Sequence, residues 1–267
     1  MTRKKTFDLE IADNTKSEEP LFFGIDKENY SIRVGRNCAV ILIESLKTEK
    51  NAVVVNLVIE ENAVVEYFSI RNEKKTDLCL KRSAVVGRNA SIIWYDINLN
   101  DSTGISEIFT ELSGENAHSA TFGLFTADQE KKMTIKHTTE HRAPRTVSEM
   151  RSRLILHDRA FVDYHGKILI PHRYTDCRGS ESTDVLLLSP DARINALPEL
   201  DVGNSQVNCS HAVTISRPDK EKIFYLNSRG VGPEAAEEIL TVAFLAPIVD
   251  TVKNGTIRRI LKPSANP

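Results

Sequence analysis

Short runs of β-branched and aliphatic residues, separated by polar turns, dominate the chain from residue 30 to residue 225. The clearest runs cover residues 52–59, 91–95 and 184–188. Runs of this length and composition, bounded by Asn, Asp or Gly, are typical of β-strands. Helical spacing of apolar residues is almost absent from the same stretch. The pattern therefore predicts an all-β body.

A weak internal repeat punctuates these runs. The pair Asn-Ala occurs five times, where this composition would give about one by chance. Three of the asparagines, Asn62, Asn89 and Asn116, are each 27 residues apart. Asn tolerates the left-handed backbone of a tight turn, and Ala fits where successive coils crowd together. Asp158 and Asp191, each close to an alanine, stand in degenerate copies.

A small-residue turn that returns every 20 to 30 residues or so favours a β-solenoid, in which each coil stacks on the one before. A β-sandwich with coincidental Asn turns is the alternative.

Helical signals are confined to the end of the chain. Gly232-Pro233-Glu234 is a helix start, because Pro fits the first helical position and Glu suits the positive end of the dipole. Pro247 should kink or end this helix, and residues 248–261 form a second one that is weakened at Gly255. The apolar face at helical spacing consists of Ala235, Ile239, Val242, Ala243 and Ala246. Such a tail either caps the core, the commoner case, or docks a partner.

Composition and charge exclude several classes of protein. Lys and Arg total 35 and Asp and Glu 37 in 267 residues, a net charge of −2, which argues against nucleic acid as the main partner. The longest apolar run, residues 239–249, contains a proline and is too short to cross a membrane. No secretory signal opens the sequence, so we expect a soluble cytoplasmic protein with reduced thiols. Its four cysteines are Cys38, Cys79, Cys177 and Cys209.

Motif searches remove the common nucleotide-binding and hydrolase classes. No Gly-rich phosphate loop, Rossmann fingerprint or G-x-S-x-G can be written, so we expect no nucleotide site in this chain. His137-Thr138-Thr139-Glu140-His141 matches the H-x-x-E-H spelling of a zinc protease. That chemistry needs a helix, whereas two threonines and the nearby Pro144 favour a strand or loop, so the protease is a weak alternative.

Cys209-Ser210-His211 is the most informative local motif. In a strand, residues two apart face the same way, so the thiol and the imidazole would lie side by side. Both groups suit iron or zinc, and a nearby imidazolium would lower the pKa of the thiol. Cys177, 32 residues earlier, would lie about one coil below in a solenoid. A buried cysteine beside a hydrogen-bonded histidine is the simpler interpretation.

Four blocks in order resemble the SufB/SufD family. They are residues 184–192, 198–200, 209–211 and 224–231, followed by the Glu-Ala-Ala helix. The resemblance implies a right-handed parallel β-helix with a short C-terminal helical region. It further implies iron–sulfur cluster assembly with the ABC-type ATPase SufC, pairing of members through their β-helices, and docking of the ATPase on the C-terminal helices.

The chain departs from the family pattern at several positions. It has no room for the N-terminal helical domain of larger members, so it resembles a minimal, core-only version. Thr183 stands where scaffold-type members usually carry a cysteine, and Ser210 and Ala212 stand where they carry glutamates. Asn204-Ser205 replaces the usual acidic pair. The motif is closer to SufD, which keeps the Cys-x-His.

Taken together, we expect a polar segment at 1–20, a β-helix at 21–231 and an ATPase-docking helical region at 232–267. Cys209 would be a thiolate ligand for iron or a nascent iron–sulfur cluster. His211 would be a second ligand or would keep the thiol deprotonated, and Cys177 is the further candidate ligand. The chain would be an assembly subunit rather than an enzyme, paired with a second SufB/SufD-type subunit as a homodimer or heterodimer. The alternative is a SufD-like platform that recruits the ATPase and binds no cluster.

Overall fold

A computed structural model describes residues 6–47, 49–71, 77–99 and 103–261. Within these ranges the chain forms sixteen strands and three helices. The odd-numbered strands are β1 Leu9–Ile11, β3 Asn29–Val34, β5 Ala52–Ile59, β7 Leu78–Val86, β9 Gly104–Leu112, β11 Lys132–His141, β13 Phe161–Ile170 and β15 Arg193–Val202. The even-numbered strands are β2 Leu21–Ile25, β4 Ala39–Leu46, β6 Val64–Arg71, β8 Ser91–Asn98, β10 His118–Ala127, β12 Val147–Leu156, β14 Arg178–Leu187 and β16 Asn208–Ser216.

The strands wind into a β-solenoid. All odd strands pair in order in one parallel sheet and all even strands in a second, so the chain crosses from sheet to sheet at every turn. Each strand therefore stacks on the strand two places earlier in the sequence. The predicted solenoid is confirmed, and the sandwich alternative is wrong.

An asparagine ladder explains why the turns stack in register. Asn62, Asn89 and Asn116 have φ values of 59°, 55° and 58°, in the left-handed region. The side-chain amide of Asn89 donates to Asn62 Oδ1 over 3.2 Å, and that of Asn116 donates to Asn89 Oδ1 over 3.0 Å. The alanine that follows each asparagine is fully buried. Asp158 also has positive φ, 50°, whereas Asp191 is not among the described residues that adopt it.

The solenoid interior is mainly aliphatic and aromatic, and Trp94, Tyr67 and Tyr164 are fully buried within it. The last coil differs, because β15 and β16 are the outermost strands of their sheets. No described strand pairs with their outer edges, and none of their residues is fully buried. The C-terminal end of the solenoid is therefore open.

The helices are α1 Lys220–Ser228, α2 Pro233–Val249 and α3 Gly255–Leu261. The predicted start of α2 is confirmed, since Gly232 is its N-cap and Pro233 occupies the first turn. Pro247 lies within the helix, which ends two residues later. Of the predicted second helix at 248–261, residues 248–249 end α2, residues 255–261 form α3, and residues 250–254 are not helical. Helix α1 and strand β1 were not predicted; they fall within the expected β-helix and the expected polar segment respectively.

The apolar face predicted on α2 is not the face that packs on the solenoid, so of its two predicted roles only the docking of a partner stays a prediction. Leu245, Ile248 and Val249 pack on the outer face of the even-numbered sheet, whereas Ile239 and Val242 are 47% and 40% exposed. Helix α2 is apolar on nearly all sides, so periodicity alone could not select a face. The apolar outer surface of the sheet makes that selection. No described helix is long and apolar enough to span a membrane.

Candidate metal centre at the open end

Strand β16 directs Cys209 and His211 toward the solenoid interior from the last coil. Their register partners in β14 are Gly179 and Glu181, both buried interior residues. The strand expected at this motif is confirmed, and the two side chains lie on the same face. Because no described strand follows β16, the interior face that carries them is accessible from outside.

Cys209 is half-buried beside an apolar group that includes Met150, Ile168 and Cys177. Burial raises the pKa of its thiol, and the nearby Cys177 raises it further, while a hydrogen bond with the Gly179 backbone opposes the shift. The predicted effect of an imidazolium on this pKa stays a prediction. The thiol keeps its proton when the site is empty, so binding a metal has to release it.

Cys177 lies one coil below, directly before β14. Its side chain is 1% exposed, and its sulfur lies 3.3 Å from Thr146 Oγ1 and 3.5 Å from the Ala143 carbonyl oxygen. Across the described ranges, no three His, Cys, Asp or Glu side chains are grouped closely enough to hold a metal ion. The role of Cys177 as a ligand therefore stays a prediction, and in the single chain Cys209 and His211 form at most a partial coordination set.

His211 is exposed and lines a cavity of ≈ 250 Å³ at the outer end of β12, β14 and β16. Glu149, Arg151 and Glu181 line the same cavity. Glu149 and Arg151 form an ion pair with each other, so Glu181 is the acidic residue of the cavity that has no cation beside it in the described structure.

Glu181 is a candidate site residue that the sequence analysis missed. It is 3% exposed, and neither carboxylate oxygen has a hydrogen-bond partner among the described residues. Gly166 on the facing sheet makes room for it, since a Cβ atom there would overlap the carboxyl group. Burial raises the pKa of Glu181 to about 7. The only signal in the sequence was a glutamate at a position that alternation assigns to the interior.

The two histidines of the protease-like motif are structural. The motif lies in strand β11, so the expected strand is confirmed, and both rings are fully buried. His137 Nε2 lies 3.3 Å from Asp96 Oδ2, in a different interior environment from His141. His141 contacts Thr146 Oγ1 at 2.7 Å and Ser148 Oγ at 2.9 Å. Each ring has its own partners, and they do not share a site.

A buried ionic cluster lies deeper in the solenoid. Asp96 contacts Arg82 at 3.0 Å and Arg71 at 3.4 Å, and Ser106 donates to it over 2.6 Å. Burial alone would raise the pKa of Asp96, but the two guanidinium groups and His137 hold it well below its usual range. The cluster therefore places a permanently ionised carboxylate in the core, which sequence patterning did not predict.

The fold and this open end define a class: a two-sheet parallel solenoid with an accessible Cys-x-His on its last coil. Residues 17–244 match the family model described as SUF system FeS cluster assembly, SufBD core domain. The chain therefore belongs to the SufBD family. It is 26% identical over 253 residues to iron–sulfur cluster assembly SufBD family proteins of Staphylococcus saprophyticus and Staphylococcus aureus, covering 89% of this chain. The chain spans about half, 54%, of the length of each of these relatives.

Proposed function

We propose that this chain is a cytoplasmic subunit of an iron–sulfur cluster assembly complex and that it holds iron or a nascent cluster at Cys209 and His211. The observation that carries the proposal is their position on the uncovered interior face of the last coil. A thiolate and an imidazole are both ligands that iron accepts. Family membership supports a role in iron–sulfur cluster assembly, and the geometry supports Cys209 and His211 as the place where iron would bind.

A second SufB/SufD-type subunit would complete the coordination set. The outer edges of β15 and β16 expose unpaired backbone groups, and Leu197 and Ile215 are 47% and 52% exposed there. Free strand edges with apolar side chains favour pairing with another chain. A subunit seated on this end would bring its own ligands over Cys209 and His211, so two partial sites would form one.

The C-terminal helices would dock a SufC-like ABC ATPase, which would supply the ATP hydrolysis. Helix α1 buries none of its residues, and its Phe224 and Tyr225 are 74% and 57% exposed. Ile239 on α2 adds to this apolar surface. Exposed aromatic residues grouped on one region are typical of a protein interface.

Co-purification with a SufC-like ATPase tests the docking proposal. Replacing Phe224 or Ile239 with Asp should abolish recovery of the ATPase, because a charge would be buried in an apolar contact. Val85→Asp is the matched control, since Val85 is 40% exposed but lies on the solenoid. Equal recovery with all three variants would contradict docking on the helices.

The alternative is a platform that recruits the ATPase while another subunit holds the cluster. The absence of a three-residue metal-binding group in the described part of the chain favours it, as do Thr183 and Ala212. Anaerobic reconstitution with the ATPase separates the two functions. An assembly subunit should retain stoichiometric iron and sulfide after desalting, whereas a platform should retain neither.

A further inference from the structure

Glu181 is the one buried acid that faces the Cys-x-His end of the solenoid without a partner in the described structure. It is the register partner of His211, on the same interior face, with the two backbones about 4.8 Å apart as in any parallel sheet. Both side chains line the same cavity. The proposed function leaves this carboxyl group without a role.

The surroundings of Glu181 leave space for its carboxyl group but give it no hydrogen-bond partner in the described structure. The facing residue is Gly166, and any side chain there would occupy the space of the carboxylate. A buried carboxyl group is normally hydrogen-bonded, because burial removes the water that would otherwise satisfy it. Glu149 gives a contrast in the same cavity, since it pairs with Arg151. Two acceptor oxygens without a described partner therefore belong to a residue that lines the same cavity as His211, whose ring can supply an N–H donor.

We propose that Glu181 is the positioning residue of His211: when His211 binds a metal through one ring nitrogen, the other ring N–H donates a hydrogen bond to the Glu181 carboxylate. Histidine ligands commonly make such a bond, which fixes the tautomer and the ring orientation and makes the ligand more basic. The inference rests on the proposed function of His211. It needs no direct bond between Glu181 and the metal.

Metal affinity of the 267-residue chain tests the proposal, with Co²⁺ as the probe. Glu181→Gln keeps the size of the side chain but weakens the acceptor, and it should lower Co²⁺ affinity by about 10- to 100-fold, the usual effect of losing such a partner. Glu66→Gln on β6, where one carboxylate oxygen also has no hydrogen-bond partner in the described structure, is the matched control and should bind as the wild type does. Unchanged affinity in Glu181→Gln would overturn the inference.

A nuclear magnetic resonance measurement separates positioning from a general structural effect. In the Zn²⁺-loaded chain labelled with ¹⁵N-histidine, Glu181→Gln should shift the His211 ring resonances and leave those of His141 unchanged. Equal His211 spectra in the two proteins would overturn the inference. If Cys209→Ser and His211→Ala bind Co²⁺ as tightly as the wild type, the proposed function itself fails, and this outcome is distinct from a null result for Glu181 alone.

Discussion

The Arg153 guanidinium donates a hydrogen bond to the backbone carbonyl of Phe244 and also stacks over the Phe244 ring, 5.1 Å from its centroid. Its other terminal nitrogen lies 3.2 Å from Asp184 Oδ2 on β14. One side chain therefore ties α2 to a strand that also carries Glu181. Pro247 lacks an N–H, so the Ala243 carbonyl, one residue before the carbonyl that Arg153 binds, has no intrahelical donor from position 247.

Removing the contacts of Arg153 with Phe244 should make α2 open more readily. Arg153→Met keeps much of the side-chain volume but loses the charge, the hydrogen bond and the ring contact, a cost of about 1–3 kcal/mol. We expect faster hydrogen exchange of the α2 amides and unchanged exchange in the core strands. Arg151→Met, which alters a more exposed ion pair on the same strand, is the control. Identical α2 exchange in both variants would show that Arg153 does not hold the helix.

The asparagine ladder should contribute measurably to stability. Asn89→Ala places alanine at φ 55°, a left-handed backbone that is strained for it, and removes two ladder hydrogen bonds. The free energy of unfolding should therefore fall by about 2–3 kcal/mol. Asn89→Gly removes the bonds without the backbone strain and should cost less. Urea unfolding of the two variants measures both, and equal losses would mean that the left-handed backbone is not a source of strain.

Neutralising the buried carboxylate of Asp96 should strongly destabilise the folded chain. Asp96→Asn removes the carboxylate that contacts Arg82 and Arg71 and leaves Glu44 as the other buried acid that acts on them. Losing one partner of a buried ionic cluster costs about 3–5 kcal/mol. Thermal unfolding checks this prediction. Asp184→Asn, at a part-exposed ion pair, should change the transition far less. Similar losses in the two variants would contradict the importance of burial.

His141 should make stability depend on pH. Burial lowers its pKa from 6.5 to about 4, so the neutral ring is the form that the fold accommodates. As pH falls from 6.5 toward 4, the His141 ring becomes protonated in the unfolded chain but stays neutral in the folded chain. The free energy of unfolding should therefore fall by about 1.4 kcal/mol per pH unit, or about 3 kcal/mol in all.

Urea unfolding at pH 7, 6 and 5 measures this slope. His141→Asn should remove its share of the slope, whereas His118→Asn, at an exposed position, should keep the wild-type dependence. An unaltered slope in His141→Asn would show that other groups govern the acid response.

Turn chemistry and strand patterning predicted the solenoid but not the ionic cluster in its interior. Asn62, Asn89 and Asn116 adopt the left-handed turn geometry readily, so their regular spacing favoured stacked coils over a sandwich. The ionised Asp96 on β8 depends on Arg82 of β7 and Arg71 of β6, and no periodicity in the sequence brings these residues together. The buried face of α2 depended in the same way on the sheet that it covers.

The sequence predicted only the part of the candidate site that lies on a single strand. Strand alternation correctly placed Cys209 and His211 on one face. The raised pKa of Cys209 and the orphaned carboxylate of Glu181 both result from burial between coils, a quantity that the sequence does not contain.

The central claim is that Cys209 holds the iron. Wild type, Cys209→Ser and Cys79→Ser should be reconstituted anaerobically in complex with the ATPase, and iron and acid-labile sulfide counted per chain. Cys79 is a part-exposed cysteine on β7, far from the open end, and controls for adventitious thiol binding. We predict that Cys209→Ser loses its iron and sulfide while Cys79→Ser matches the wild type. Wild-type iron content in Cys209→Ser would contradict the account.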